Sequence, residues 1–354
     1  MLMTQYLSLK IKRISFLLIV MVVFLHSYNI DIKQGGKILV FAKDWNWFIQ
    51  NFISNGLTRI AVPMFFLISG YLFFLDQKFD RQAILVKIKK RVKTLVVPYL
   101  LWTLFGLLLY FILQSLPQSQ SFFTKKLIKD YTLSEWLNAI FNEPIPYQLW
   151  FLKDLIVMVF LSPIIYYVLK KAREVFLLII FGFWLFNQDT VFLTSEALLF
   201  FSLGMYGNIQ PQNAIKKVHP KTALVALLWL GLLVTKTALG FYNSPEIYVT
   251  LSLKASIIAG LFAFWQLYDS VAKTQLEATN FDKWIGFSFF LYAFHEPFFT
   301  IIKKALFTQL PKTPASYFLV YCMAPLIIIG IALLLGKFLK EKLNPFYSVI
   351  NGNR

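Results

Sequence analysis

The chain has 354 residues, of which 58% are apolar and 15% charged, and its mean hydropathy is +0.63. Soluble domains carry about 25% charged residues, so there is too little polar surface here to cover a water-soluble globule. The net charge of +18 would suggest nucleic acid in a soluble protein. Here the cations sit in short loops between apolar runs, which makes them topology signals and argues against a nucleic-acid partner.

Near the N-terminus, Lys10, Lys12 and Arg13 precede an apolar stretch from Ile14 to Leu25. No small-x-small cleavage site follows, since the chain reads His26-Ser27-Tyr28-Asn29, so a retained first helix is expected rather than a cleaved leader. Further apolar segments long enough to cross a bilayer core complete a series at about residues 14–30, 57–75, 95–116, 148–169, 175–187, 191–208, 222–240, 247–268, 284–302 and 316–338. The fifth and sixth are short and close together, and could form one re-entrant hairpin. The reading adopted is a single all-α domain over residues 1–354, a polytopic bundle of about ten transmembrane helices. No appended soluble domain is expected. Lys and Arg concentrate in one set of alternating loops, 22 against 9 in the other. That excess places both termini in the cytoplasm.

The two longest outer loops, 31–56 and 117–146, carry Trp45, Trp47, Trp136 and Tyr147. They read as interfacial helices, because Trp and Tyr favour the headgroup layer; the alternative is a platform for a sugar-like acceptor. No internal repeat is found, which weakens a transporter reading. The single cysteine, Cys322, rules out an internal disulfide and a Cys-based metal cluster. No metal site is expected.

An ionisable side chain inside a span is costly and therefore a functional candidate. Few are expected here, and the sharpest are His26 in the first span and His295 in the ninth. His219, beside Pro220 in a cytoplasmic loop, is incidental. His26 lies about 20 Å above Arg13 and His295 about 17 Å above Trp284 along outward-running helices, so the two imidazoles fall at similar depth. Trp284, Ser288, Tyr292 and His295 form one stripe, and Lys12, Ser15, Ile19, Val22, His26 and Asn29 another. Pro297 frees the carbonyl of Ala293, and a bend there needs an internal partner. The alternative for each histidine is a buried ring that bonds a neighbouring helix for packing. Arg59 opens the second span and can snorkel, and Ser69-Gly70 lets another helix approach closely. Lys87, Lys89, Lys90, Arg91 and Lys93 cluster at the inner end of the third span. They read either as positive-inside bias or as a landing site for a phosphorylated cofactor.

Five motifs occur in order. They are His26 closing the first span; Arg59-x-x-x-Pro63-x-Phe65-Phe66-x-x-Ser69-Gly70-Tyr71; Arg91 seven residues before Pro98-Tyr99 with Trp102; Leu149-Trp150-Phe151-Leu152; and Ser288-Phe289-x-x-Tyr292-x-x-His295-x-Pro297. Together they resemble the integral-membrane acyltransferase family three, which modifies bacterial surface polysaccharides. The resemblance implies a ten-helix bundle in the bacterial inner membrane. It also implies acyl transfer, usually of acetyl, from cytoplasmic acyl-CoA to a hydroxyl of a cell-surface or lipid-linked glycan. The family has an arginine eleven residues before the first-span histidine; here that position is Ser15, and Lys12 shares the face instead.

On that basis His26 is expected as general base or transient acyl carrier. His295, Tyr292 and Ser288 would position the acceptor or polarise the thioester. Lys12, Lys90 and Arg91 would hold the CoA phosphates. Arg59, Ser69, Tyr71 and Trp150 would contact the acceptor. Acyl-CoA, a glycan and membrane lipid are the expected partners. The rival readings are a carrier or flippase for lipid-linked sugars, with the histidines as proton relays, and a non-catalytic partner in polysaccharide assembly.

Overall fold

A computed structural model describes residues 5–34, 37–40, 43–75, 81–117, 123, 126–209, 221–272 and 279–353. Lys78, Lys125, Lys216, Lys217, Lys273 and Arg354, all counted in the topology reading, lie outside the described residues, as does His219. In hydrocarbon every backbone N–H and C=O must be bonded internally, which a helix does within one segment. The described chain is accordingly helical apart from a short antiparallel hairpin, β1 (Asp31–Gln34) with β2 (Lys37–Val40).

In chain order the helices are α1 (Gln5–Ser27), α2 (Trp45–Ile53), α3 (Ala61–Phe73), α4 (Arg81–Arg91), α5 (Val97–Ser115), α6 (Leu133–Phe141) and α7 (Trp150–Leu185). They continue with α8 (Ser195–Ile209), α9 (Thr222–Phe241), α10 (Glu246–Ala272), α11 (Asp282–Ile285), α12 (Ser288–Gln309), α13 (Pro314–Lys342) and α14 (Asn344–Ile350). Among the described residues, six stretches are long and apolar enough to cross a bilayer: Trp45–Phe73, Gln82–Ser115, Tyr147–Leu185, Thr222–Phe241, Glu246–Val271 and Pro314–Lys342. α1, with Lys10, Lys12 and Arg13, and α12, with Glu296, Lys303 and Lys304, are too charged for that set; α8, at 15 residues, is too short. The expected spans 148–169 and 175–187 are two parts of α7, which leaves helical geometry at Ala172 (φ −137°, ψ 44°).

Several cations expected in loops lie inside helices. α1 begins at Gln5 rather than residue 14. Its Lys10 ammonium bonds Asp269 at 2.7 Å and lies 3.8 Å from the centre of the Trp265 ring. Arg13 forks onto Asp282, Nε to Oδ1 at 2.8 Å and an Nη to Oδ2 at 2.7 Å. This guanidinium holds the Asp282 carboxyl well below the usual carboxylate range. Lys87 donates to the Phe73 carbonyl at 2.6 Å and the Leu75 carbonyl at 3.2 Å, placing a cation at the C-terminal end of α3 where the helix dipole favours it.

Gly70 of α3 and Gly204 of α8 face each other's helix. A Cβ on Gly70 would strike the Phe201 carbonyl, and one on Gly204 the Leu67 carbonyl. Close backbone approach at small residues is what lets helices pack where lipid supplies no hydrophobic drive.

The two long loops expected on the outer side differ. α2 buries a polar face: Gln50 Nε2 donates to Asn29 Oδ1 at 3.0 Å and Asn46 Oδ1 at 2.9 Å, while Asn29 Nδ2 donates to the Tyr317 carbonyl at 2.9 Å. It is a lock between α1 and α13 more than a surface helix. α6 exposes Leu133, Leu137 and Phe141, as a helix lying in the interface does. It is capped by Thr132 and Glu135, and the Tyr99 hydroxyl ties it to α5 through the Ile140 carbonyl at 2.9 Å.

Candidate active site

The break in α12 organises the site. Pro297 has no N–H, so the Ala293 carbonyl loses its helical donor. Gln148, in a 3-10 turn over Tyr147–Leu149, supplies the replacement: its Nε2 donates to the carbonyls of Ala293 and Glu296, each at 3.1 Å. The Tyr292 hydroxyl returns a bond to the Gln148 carbonyl at 2.7 Å. The chain is extended at Glu296 (φ −102°, ψ 139°), and the Glu296–Pro297 peptide is cis.

This docking brings four polar groups to the end of α1. The rings of His26 and His295 stack, with centroids 5.4 Å apart and planes 24° apart. The Tyr147 ring meets His26 edge-on at 4.8 Å, and its hydroxyl donates to Glu296 Oε1 at 3.1 Å. The other Glu296 oxygen accepts from the Thr300 hydroxyl at 2.8 Å. Lys303 donates to the His26 carbonyl at 2.5 Å; it belongs to the site, not to an outer loop as expected.

The two imidazoles differ in surroundings. His295 has no exposed surface, and its Nδ1 lies 2.7 Å from the Tyr292 carbonyl and 3.2 Å from that of Leu291. Carbonyls only accept, so Nδ1 carries the proton. Nε2 is then a bare acceptor, and it has no partner among the described residues. The His26 ring opens into a cavity of about 890 Å³, within the size range of small-molecule sites. No described residue hydrogen-bonds the His26 ring nitrogens.

The cavity follows α1 from Lys12 to His26, about 21 Å at 1.5 Å per residue. Lys12, Arg91 and Asp282 stand at one end; Arg59, Glu196 and Trp150 at the other. Arg91 closes α4 just before a π-helical turn over Val92–Val96, a distortion often found at functional sites. Of the expected residues, His26, Lys12, Arg59, Ser69, Arg91, Trp150, Ser288 and Tyr292 all line this space. Tyr71 and Lys90 do not line it, and His295 lies behind His26. Ser15 lines it too, so the face shared by Lys12, Ser15 and His26 is the face turned inward.

More ionisable groups lie inside the helices than expected. Glu196, Lys236, Lys254, Glu296 and Lys303 were missed, as was Gln148. The signal was present, since each is a polar or charged residue in a largely apolar helical run. Glu196 feels the charges of Lys254 and Arg59, and Arg59 donates to Asn55 at 3.1 Å. Among the described residues no three His, Cys, Asp or Glu side chains converge as a metal site.

A family model described as an acyltransferase domain matches residues 14–335. The succinoglycan biosynthesis protein ExoH of Rhizobium meliloti (strain 1021) is similar over 357 residues at 26% identity, covering 98% of this chain and 92% of that protein. No solved structure matches. The match spans nearly the whole chain, including the helices that carry both histidines, and the protein is therefore a membrane acyltransferase belonging to acyltransferase family three.

Proposed function

We propose that the protein transfers an acyl group, in the first instance acetyl, from cytoplasmic acyl-CoA to a hydroxyl of a cell-surface or lipid-linked glycan at the bacterial inner membrane. The observation that carries this reading is the His26 imidazole opening, with no hydrogen bond to its ring among the described residues, into a cavity that reaches Lys12 and Arg91. Ten spans with both termini cytoplasmic fit the same picture: α1, α8 and α12 join the six apolar stretches, and the break at Ala172 divides α7. In that orientation Lys12 and Arg91 lie at the cytoplasmic end and bind the CoA phosphates. The glycan acceptor is supported by the name of the Rhizobium meliloti relative.

The chemistry needs one proton carrier. His26 takes the proton of the acceptor hydroxyl as its oxygen attacks the thioester carbonyl. The carbon–sulfur bond then breaks, and the CoA thiolate leaves and recovers the proton from the imidazolium. Lys303, close by on α12, stabilises the negative charge that develops on the carbonyl oxygen. The test is mass spectrometry of surface glycans from a deletion strain, with acetyl-CoA hydrolysis by the purified protein. Loss of a unit of about 42 Da, the mass an acetyl adds when it replaces a hydroxyl proton, is expected, with hydrolysis abolished in His26→Gln. Unchanged glycans, or a protein inert toward acetyl-CoA that still moves lipid-linked sugar, would replace the enzyme by a carrier.

A further inference from the structure

Beside the main cavity lies a second hollow of about 350 Å³, lined in part by Asn142, Glu143, Tyr147, Trp150 and Lys153. Trp150 lines both spaces. Tyr147 is a partition one ring thick: it is 44% exposed and lines the hollow, yet its ring edge meets the His26 ring at 4.8 Å. Its hydroxyl is held by Glu296 and its backbone by the docked Gln148 turn.

The lining has the chemistry of a sugar site. Two aromatic rings, Tyr147 and Trp150, offer apolar surface for the C–H side of a pyranose. Asn142, Glu143 and Lys153 offer donors and acceptors for its hydroxyls. The one cation of the lining, Lys153, is 3.5 Å from Asn142 and 3.7 Å from Asp154, and Glu143 lines the same hollow. A phosphate or CoA would need several uncommitted cations, so the hollow suits a neutral, hydroxyl-rich ligand. The volume lies at the small end of ligand sites, about 300–1,000 Å³, right for one or two sugar rings.

We infer that this hollow is the subsite for a sugar residue of the acceptor glycan, and that Tyr147 is the gate between that sugar and His26. The inference rests on the acyltransferase reading. When the Tyr147 ring swings aside, a hydroxyl of the seated sugar reaches His26. While it is closed, the ring keeps outside water from the acyl donor, whose hydrolysis would compete with transfer.

The test uses the chain with Cys322→Ser, its only cysteine removed. Asn142→Cys is introduced, and intact cells are treated with a bulky membrane-impermeant maleimide. Relative to the same variant unlabelled, acylation of newly made glycan should fall at least about tenfold, while acetyl-CoA hydrolysis by the purified labelled protein stays within about twofold. Ser134→Cys, at an exposed polar position of α6, should label without effect. Unimpaired glycan acylation after full labelling, equal loss of both activities, or no labelling of Asn142→Cys would each overturn the inference. Tyr147→Ala tests the gate: uncoupled hydrolysis should rise at least about threefold while transfer falls, and unchanged coupling would overturn it. Failure of the parent reading looks different, because His26→Gln would then transfer as well as the unaltered protein.

Discussion

His26 and His295 stack at 5.4 Å, yet one is bound into the protein and the other is not. His295 sits on a broken helix, sealed from solvent, with its tautomer set by two backbone carbonyls. His26 ends an unbroken helix and presents an unbonded ring to the cavity. Rings at the same depth therefore have different freedom to act. A group that must accept a proton and return it needs a lone pair facing the substrate, which favours His26. A group that fixes the shape of the site needs immobile bonds, which favours His295.

The largest expected effect separates them directly. His26→Gln should reduce acyl transfer at least about a hundredfold, since general-base help is worth about 10²–10⁴ in rate. Its thermal stability should stay close to that of the unaltered protein, because no ring hydrogen bond is lost. His295→Gln should do the reverse: a loss of about tenfold in transfer, with about 1–2 kcal/mol of destabilisation, because a flexible amide replaces the fixed ring donor at the Leu291 and Tyr292 carbonyls. Equal activity losses with equal stability losses would dissolve the distinction, and a fully active His26→Gln would make His295 the base.

Gln148→Leu tests whether the break in α12 needs its external donor. The variant leaves the Ala293 carbonyl buried and unbonded, which costs about 1–3 kcal/mol, and it frees the Tyr147 turn. Thermal unfolding in detergent should show the cost, and transfer should fall about tenfold as the Tyr147 and His295 rings lose their register. A variant of unchanged midpoint would mean that water can replace the amide. At the far end of the cavity Arg91→Ala should raise the acyl-CoA KM about tenfold, one charge-assisted bond, while glycan use is unaltered. An unchanged donor KM would return the basic cluster to simple topology bias.

The smallest effect belongs to α6, away from both histidines. Lys126 at 2.7 Å, with the Thr132 backbone and hydroxyl, holds the Glu135 carboxyl down to about 2 from an ordinary 4.5. A depressed carboxyl contributes above its ordinary value and loses that contribution as pH falls toward its folded value. Glu135→Gln should therefore lower the thermal midpoint by no more than about a degree at pH 7, since exposed pairs are weak, and not at all near pH 2. A large drop at either pH would show α6 to be part of the site's support.

Much of the site was legible before any tertiary contact was known. The need of a broken α12 for an internal partner followed from Pro297 alone, and the shared depth of the histidines from residue counts. The close approach at Gly70 followed from its missing side chain. Gln148, Glu296 and Lys303 stood out only as polar residues in apolar runs; that Gln148 is the partner, and that the other two join the site, depends on packing. Charge counts also placed Lys10, Arg13 and Lys303 in loops, where a local count expects cations, although Asp269, Asp282 and the His26 carbonyl draw them into helices.

What the sequence determined by itself was the class of molecule: apolar length, cation bias and helical periodicity are local quantities, and the bilayer reads them one segment at a time. The motifs likewise marked several polar residues that line the cavity, among them His26, Arg59, Ser69, Arg91 and Tyr292. Only the tertiary structure decided which histidine opens to the cavity, because that depends on how α12, the Tyr147 turn and α1 meet across long stretches of chain. It also decided that the charged helices α1 and α12 turn inward. A charge costs least where other helices, not lipid, surround it, so the least apolar helices gather around the cavity and carry its chemistry.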